Sequence, residues 1–112
     1  MDIAEQRKKA ETFRALHQGP GILVLANTSD VFTSRVVVEV GYPAVATSSA
    51  GVAWAQGYPD GEKIPPDEMA AVVRRIAHSV DVPVTADMEA GYGSRPEDVA
   101  ATIRATLEAG AV

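Results

Sequence analysis

Three short apolar runs, Ile22-Leu23-Val24-Leu25-Ala26, Pro43-Ala44-Val45-Ala46-Thr47 and Val82-Pro83-Val84-Thr85-Ala86, recur between segments patterned as helices. A continuous apolar run bounded by turn residues reads as a strand buried on both faces, as parallel strands are. Strands that alternate with helices are joined by right-handed crossovers within one parallel sheet. The pattern therefore predicts an α/β fold.

The helical segments carry their own punctuation. Ile3, Ala10, Phe13 and Leu16 fall at helical intervals among charged residues, and Gly19-Pro20-Gly21 stops that first helix. Asp30 is placed to cap a helix over 31–40 that Gly41 ends. Met69, Val72, Val73, Ile76, Ala77 and Val80 trace one apolar stripe, with Asp67 and Glu68 at the positive end of the helix dipole. Ser94 is placed to cap a last helix that has Pro96 in its first turn, Val99, Ile103 and Leu107 at intervals of four, and Gly110 as its stop. Residues 48–66 are polar and Gly-rich and read as one long loop, a length that usually serves function. Ala111 and Val112 read as the start of a fourth strand. A (β/α)8 barrel takes ~250 residues. Residues 1–112 thus read as the N-terminal portion of a TIM-type barrel with an extra N-terminal helix: an incomplete domain of about three βα units.

Composition removes several classes of function. Ten Lys and Arg against fifteen Asp and Glu give a net charge of -5, and no basic run exceeds Arg7-Lys8-Lys9. Nothing here would track a phosphate backbone, so nucleic acid is not expected as a partner. The absence of cysteine rules out a disulfide framework, a zinc–cysteine cluster and a thiol nucleophile within these residues, and suits a reducing, cytoplasmic setting. No apolar run approaches the ~18 residues of a membrane span, and Asp2, Glu5, Arg7 and Lys8 stand where an export signal would be apolar.

Chemistry is concentrated after the second and third runs. Asp87 and Glu89 follow the third, at the strand end where α/β folds bind ligands. Side chains at i and i+2 of an extended segment share a face. A close carboxylate pair without His or Cys suits Mg2+ or Mn2+ rather than Zn2+, the alternative being an acidic surface loop. Thr47-Ser48-Ser49-Ala50-Gly51 presents small residues whose N–H groups and hydroxyls can approach an anion, or is an ordinary flexible loop. Asp60 lies in the turn sequence Tyr58-Pro59-Asp60-Gly61, where it can serve as the turn's own acceptor. It gains interest if Ser48, Asp87 and Glu89 share the same barrel mouth. His17 and His78 fall at helix ends and read as structural, and Trp54, Tyr58 and Tyr92 read as packing or contact residues in loops near that mouth.

Taken together, Thr47-Ser48-Ser49-Ala50-Gly51-Val52-Ala53, Gly57-Tyr58-Pro59-Asp60 and Thr85-Ala86-Asp87-Met88-Glu89-Ala90-Gly91-Tyr92-Gly93 resemble the isocitrate lyase and phosphoenolpyruvate mutase superfamily. They occur in its order and with its separations, over residues 13–112. The resemblance implies a (β/α)8 barrel, often with an added N-terminal helix and commonly tetrameric, so a homo-oligomer is expected. It implies that Ser48, Ser49 and Ala50 bind a substrate carboxylate, mainly through backbone N–H groups and the Ser48 hydroxyl. Asp87 would ligate Mg2+ (or Mn2+) directly and touch the substrate, while Asp60 and Glu89 would hold metal-bound waters or position the substrate; Asp60 and Ser48 are the candidate catalytic residues. The implied reaction cleaves or forms a carbon–carbon or phosphorus–carbon bond next to a small 2-oxo acid or dicarboxylate, through an enolate whose charge a cation stabilises most in the transition state. Two departures stand out: Glu89 occupies a position where Asp is frequent, and Ser49-Ala50 replaces a Gly-rich stretch of the methylisocitrate lyases. The family's next acidic residue, and the Lys-Lys-Cys-Gly-His type loop of its lyases, fall after the point where this sequence ends. Lyase and mutase are therefore not separated, and the alternative is a non-catalytic half-barrel that oligomerises through open strand edges or serves as a binding module.

Overall fold

A computed structural model describes residues 1–112 and places eight elements in the order α1 (Ile3–Leu16), β1 (Ala26–Thr28), α2 (Val31–Glu39), β2 (Val45–Thr47), α3 (Ser49–Ala55), α4 (Pro66–Ala77), β3 (Val84–Thr85) and α5 (Pro96–Glu108). The strands form one parallel sheet in the order β1-β2-β3. Ala26 lies opposite Val45 and Thr28 opposite Thr47, and Val45 lies opposite Val84. The residues that follow Thr28, Thr47 and Thr85 consequently emerge along one edge of the sheet. Beyond α5, the Val112 N–H donates to Val84 O at 2.9 Å, so the chain returns to the side of β3.

The core forms where the helices cover the sheet. Val45 and Val84 from the strands meet Val52 and Ala53 of α3, Ile64, and Met69, Val72 and Ile76 of α4, all buried. Full burial of a Met, Ile or Val side chain contributes about 1.5–3 kcal/mol, and the apolar stripe of α4 supplies much of this set. Helix α2 begins where Asp30 Oδ1 accepts from Thr33 N–H at 2.7 Å and from Thr33 Oγ1 at 2.9 Å. Helix α1 is fastened from below: Gln6 Nε2 donates to Leu107 O and Ala111 O, both at 2.7 Å, and the buried Lys9 donates from Nζ to Val80 O at 2.8 Å. No helix is long and apolar enough to cross a membrane.

Four local expectations are corrected. The first strand is Ala26–Thr28 rather than residues 22–26, and Ile22 and Val24 are exposed. Pairing with β2 begins only at Ala26, and the polar Thr28 is buried because its hydroxyl meets Ser34 Oγ at 2.8 Å. The stretch 48–66 is not a single loop: Ser48 caps α3 by accepting from Gly51 N–H at 3.1 Å, and Val52 and Ala53 give that helix a buried face. Trp54 accordingly lies on α3, not in a loop. Helix α5 takes its N-cap from Arg95 rather than Ser94, because Asp98 accepts from Arg95 N–H at 3.3 Å and pairs with its guanidinium at 2.7 and 3.1 Å.

Candidate active site

The carboxyl edge of the sheet gathers the loops after β2 and β3. Buried Thr47 ends β2, and its Oγ1 accepts from Asp87 N–H at 3.0 Å, which fixes where the chain leaves β3. The Asp87 side chain then turns toward α3. Its Oδ2 accepts from Ser49 Oγ at 2.6 Å and from Ser49 N–H at 3.3 Å, and its Oδ1 accepts from Glu89 N–H at 3.0 Å. Burial pushes the Asp87 carboxyl upward, and the bonds from Ser49 and Glu89 outweigh it, holding the group below the usual carboxylate range.

Glu89 does not follow strand geometry. β3 ends at Thr85, and Glu89 has φ +54°, so the rule that i and i+2 share a face does not carry from Asp87 to Glu89. Its carboxylate turns instead onto the loop after α3. Oε1 accepts from Gly61 N–H at 3.2 Å, and both oxygens accept from Glu62 N–H, at 3.0 and 2.9 Å. Asp60 Oδ1 accepts from the same Gly61 N–H at 2.8 Å, so the Asp60 and Glu89 carboxylates are neighbours. The return contact comes from Glu62, whose Oε1 accepts from Tyr92 N–H at 2.7 Å. Burial, with the charges of Glu89 and Glu62 beside it, pushes the Tyr92 phenol up to about 12.

Asp60, Asp87 and Glu89 thus lie in one neighbourhood, with Ser49 bonded directly to Asp87. Ser48 stands beside them as the cap of α3, while no hydrogen bond of Ala50 N–H reaches the carboxylates. Two further residues hold the arrangement together, Thr47 and Glu62. Thr47 opens the small-residue segment that the sequence marked for an anion and acts here on the Asp87 amide instead; Glu62, which the sequence reading did not single out, was legible only as the residue after the Asp60-Gly61 turn.

A carboxylate offers about four lone-pair sites. Those of Glu89 are taken by Gly61 and Glu62, with the Tyr92 hydroxyl at 3.5 Å from Oε2. Asp87 keeps part of Oδ1 free, and Asp60 Oδ2 has no partner. No group of three His, Cys, Asp or Glu side chains converges to chelate an ion directly. One or two direct carboxylates with retained waters is the arrangement Mg2+ accepts, because it dehydrates reluctantly. The all-oxygen donor set fits that ion, through Asp87 first.

A family model described as phosphoenolpyruvate phosphomutase matches residues 13–112. The 2-methylisocitrate lyase of Escherichia coli (strain K12) is 29% identical over 102 residues, which cover 90% of this chain and 34% of that protein. A crystal structure of a candidate phosphonomutase from Burkholderia cenocepacia J2315 superimposes with a TM-score of 0.90 at 47% identity, over 94% of this chain and 43% of that one. A phosphonopyruvate hydrolase solved with oxalate and Mg2+ shares the fold, with a TM-score of 0.85 at 19% identity, over 92% of this chain and 36% of that one. The chain spans about a third of the length of the curated relatives it matches.

Proposed function

The chain belongs to the phosphoenolpyruvate mutase and isocitrate lyase superfamily, and from that premise we propose that it carries the carboxylate side of the active site of a Mg2+-dependent lyase or mutase. The reaction breaks or makes a carbon–carbon or phosphorus–carbon bond next to a small 2-oxo acid or dicarboxylate. The observation that carries this reading is Asp87, held at the carboxyl end of β3 with its carboxylate hydrogen-bonded by Ser49 and part of Oδ1 still open.

Asp87 would hold Mg2+ directly, and Asp60 and Glu89 would do so through water. Bound Mg2+ supplies positive charge where negative charge develops on the 2-oxo oxygen, which lowers the barrier more than it tightens substrate binding. The residues of the chain do the positioning. Ser49 orients the Asp87 carboxylate, and the Ser48 hydroxyl, already an acceptor for Gly51 N–H, retains its own proton to donate to a substrate carboxylate. In this reading residues 1–112 form part of one (β/α)8 domain of a cytoplasmic homo-oligomer.

The test is made on the native polypeptide that carries these residues, offered oxaloacetate, phosphonopyruvate and 2-methylisocitrate, the compounds in the names of relatives. Turnover that needs Mg2+ and disappears in Asp87→Ala supports the reading; turnover unchanged in that variant removes the metal assignment. A second reading, an oligomerising module without catalysis, is favoured by exposed apolar side chains in the segments before and after β1, with Ile22 93% and Phe32 76% exposed. Sedimentation of the chain as a monomer would remove it.

A further inference from the structure

We propose that Glu62 is a positioning residue that clips the Glu89–Tyr92 turn in place beside Asp87, and so sets the direction of the acidic side chains at the candidate site. The proposal rests on the active-site reading above, and adds to it a residue outside the set expected from the motifs.

Three observations converge on Glu62. Its backbone N–H donates to both oxygens of Glu89, at 3.0 and 2.9 Å, and its own Oε1 accepts from Tyr92 N–H at 2.7 Å. One residue therefore holds both ends of the turn that follows Asp87, from 27 and 30 positions away in the chain. The second observation is conformational. Glu62, Glu89 and Tyr92 are the three non-glycine residues of the chain with positive φ, at 58°, 54° and 59°. Residues with a Cβ persist in that region only where surrounding contacts over-determine them, and such strain clusters at functional sites. Here the three strained residues are the three partners of the clip.

The third observation is electrostatic. The clip keeps two carboxylates, Glu62 and Glu89, beside a third, Asp60, where repulsion alone would splay them apart. Backbone N–H groups of Gly61 and Glu62 offset part of that repulsion. Because Glu89 N–H also donates to Asp87 Oδ1 at 3.0 Å, any loosening of the turn reaches Asp87 through one bond. Glu62 is half-buried and packs in no apolar cluster, so its contribution lies in these bonds and not in filling the core.

The test compares Glu62→Ala, Glu62→Asp and Glu62→Gln in the native polypeptide by amide hydrogen exchange and by titration with Mg2+ alone. Gln keeps an oxygen acceptor of the same reach, Asp keeps the charge but is one methylene shorter, and Ala keeps neither. The expected result is fast exchange of the Tyr92 amide in the Ala and Asp variants, near-native protection in the Gln variant, and a Mg2+ affinity weakened about tenfold or more in Ala and Asp, the scale found for residues that orient metal ligands. If the Ala variant does not fold, Asp against Gln still decides. Tyr92 protection that is unchanged in Asp, or lost equally in Gln, overturns the clip. A wild-type protein that binds no Mg2+ overturns the metal reading instead, and leaves the exchange comparison to judge the clip by itself.

Discussion

The Ser49 hydroxyl donates a 2.6 Å hydrogen bond to Asp87 Oδ2, which ties the first turn of α3 to the carboxyl end of β3 across 38 positions of sequence. Hydroxyl-to-carboxylate bonds of this length are among the stronger ones in proteins, because the acceptor is charged. Ser49 is 7% exposed, so the bond sits at the margin of the core and not in bulk water. It makes the two motif segments one unit, and with the Ser49 and Glu89 amides it holds the Asp87 carboxyl below its ordinary value although desolvation pushes the other way.

Ser49→Ala is expected to raise the Asp87 pKa, since the ionised form loses its shortest donor while Ser49 N–H and Glu89 N–H remain. A folded pKa depressed below the unfolded value contributes stability that is present above the unfolded pKa and lost as pH falls through the folded one. The stability gap between wild type and Ser49→Ala should therefore be full at neutral pH and shrink in acid. Carboxyl-carbon NMR titration of Asp87, with denaturant curves at two pH values, checks both statements.

Thr47→Val is expected to destabilise the fold by about 1 kcal/mol, because it removes the acceptor of the Asp87 N–H in a part-buried bond. Thr47 is 1% exposed and Val matches its shape, so the loss reports the hydrogen bond and not a cavity. Urea unfolding measures it; a change within error would mean that the amide finds water.

Alkaline titration should separate Tyr92 from the other tyrosines. Its phenol is pushed up to about 12 from the ordinary 10.0, chiefly by burial and then by the Glu89 and Glu62 charges. The protonated form is the one favoured in the folded state, so its contribution to stability is intact below the unfolded pKa and is lost as pH rises through the folded one. Absorbance at the phenolate band should show a last step near that value which Tyr92→Phe deletes.

Asp30→Ala is expected to cost about 1 kcal/mol by removing the N-cap of α2, visible as a lower melting temperature. Ser34 still donates to Asp30 O at 2.7 Å in this variant, so the loss should stay confined to the cap and leave the Ser49–Asp87 bond unchanged.

The order of elements, the parallel sheet and the apolar stripe of α4 were legible in the sequence, because periodicity and caps are local signals. So were the segments that place Ser48, Ser49, Asp60, Asp87 and Glu89 at strand ends and turns. Strand limits were less legible: Ala26–Thr28 is a strand because β2 lies beside it, whereas Ile22, more apolar than Thr28, has no neighbour and stays exposed. The helix hidden in residues 48–66 depended on a cap at Ser48 and a buried face at Val52, neither visible as a long period.

What the sequence determined alone is the α/β class and the family, since the alternation of apolar runs with helical segments and the order and spacing of the motifs are properties of sequence order. Only the tertiary structure decided which side chains meet. Ser49 with Asp87, Thr47 with Asp87, and Glu62 with Glu89 and Tyr92 are contacts made across 27 to 40 positions. They arise because the sheet register brings the ends of β2 and β3 together, and because the reciprocal bonds of Glu62 hold three residues in a backbone conformation that none would keep alone.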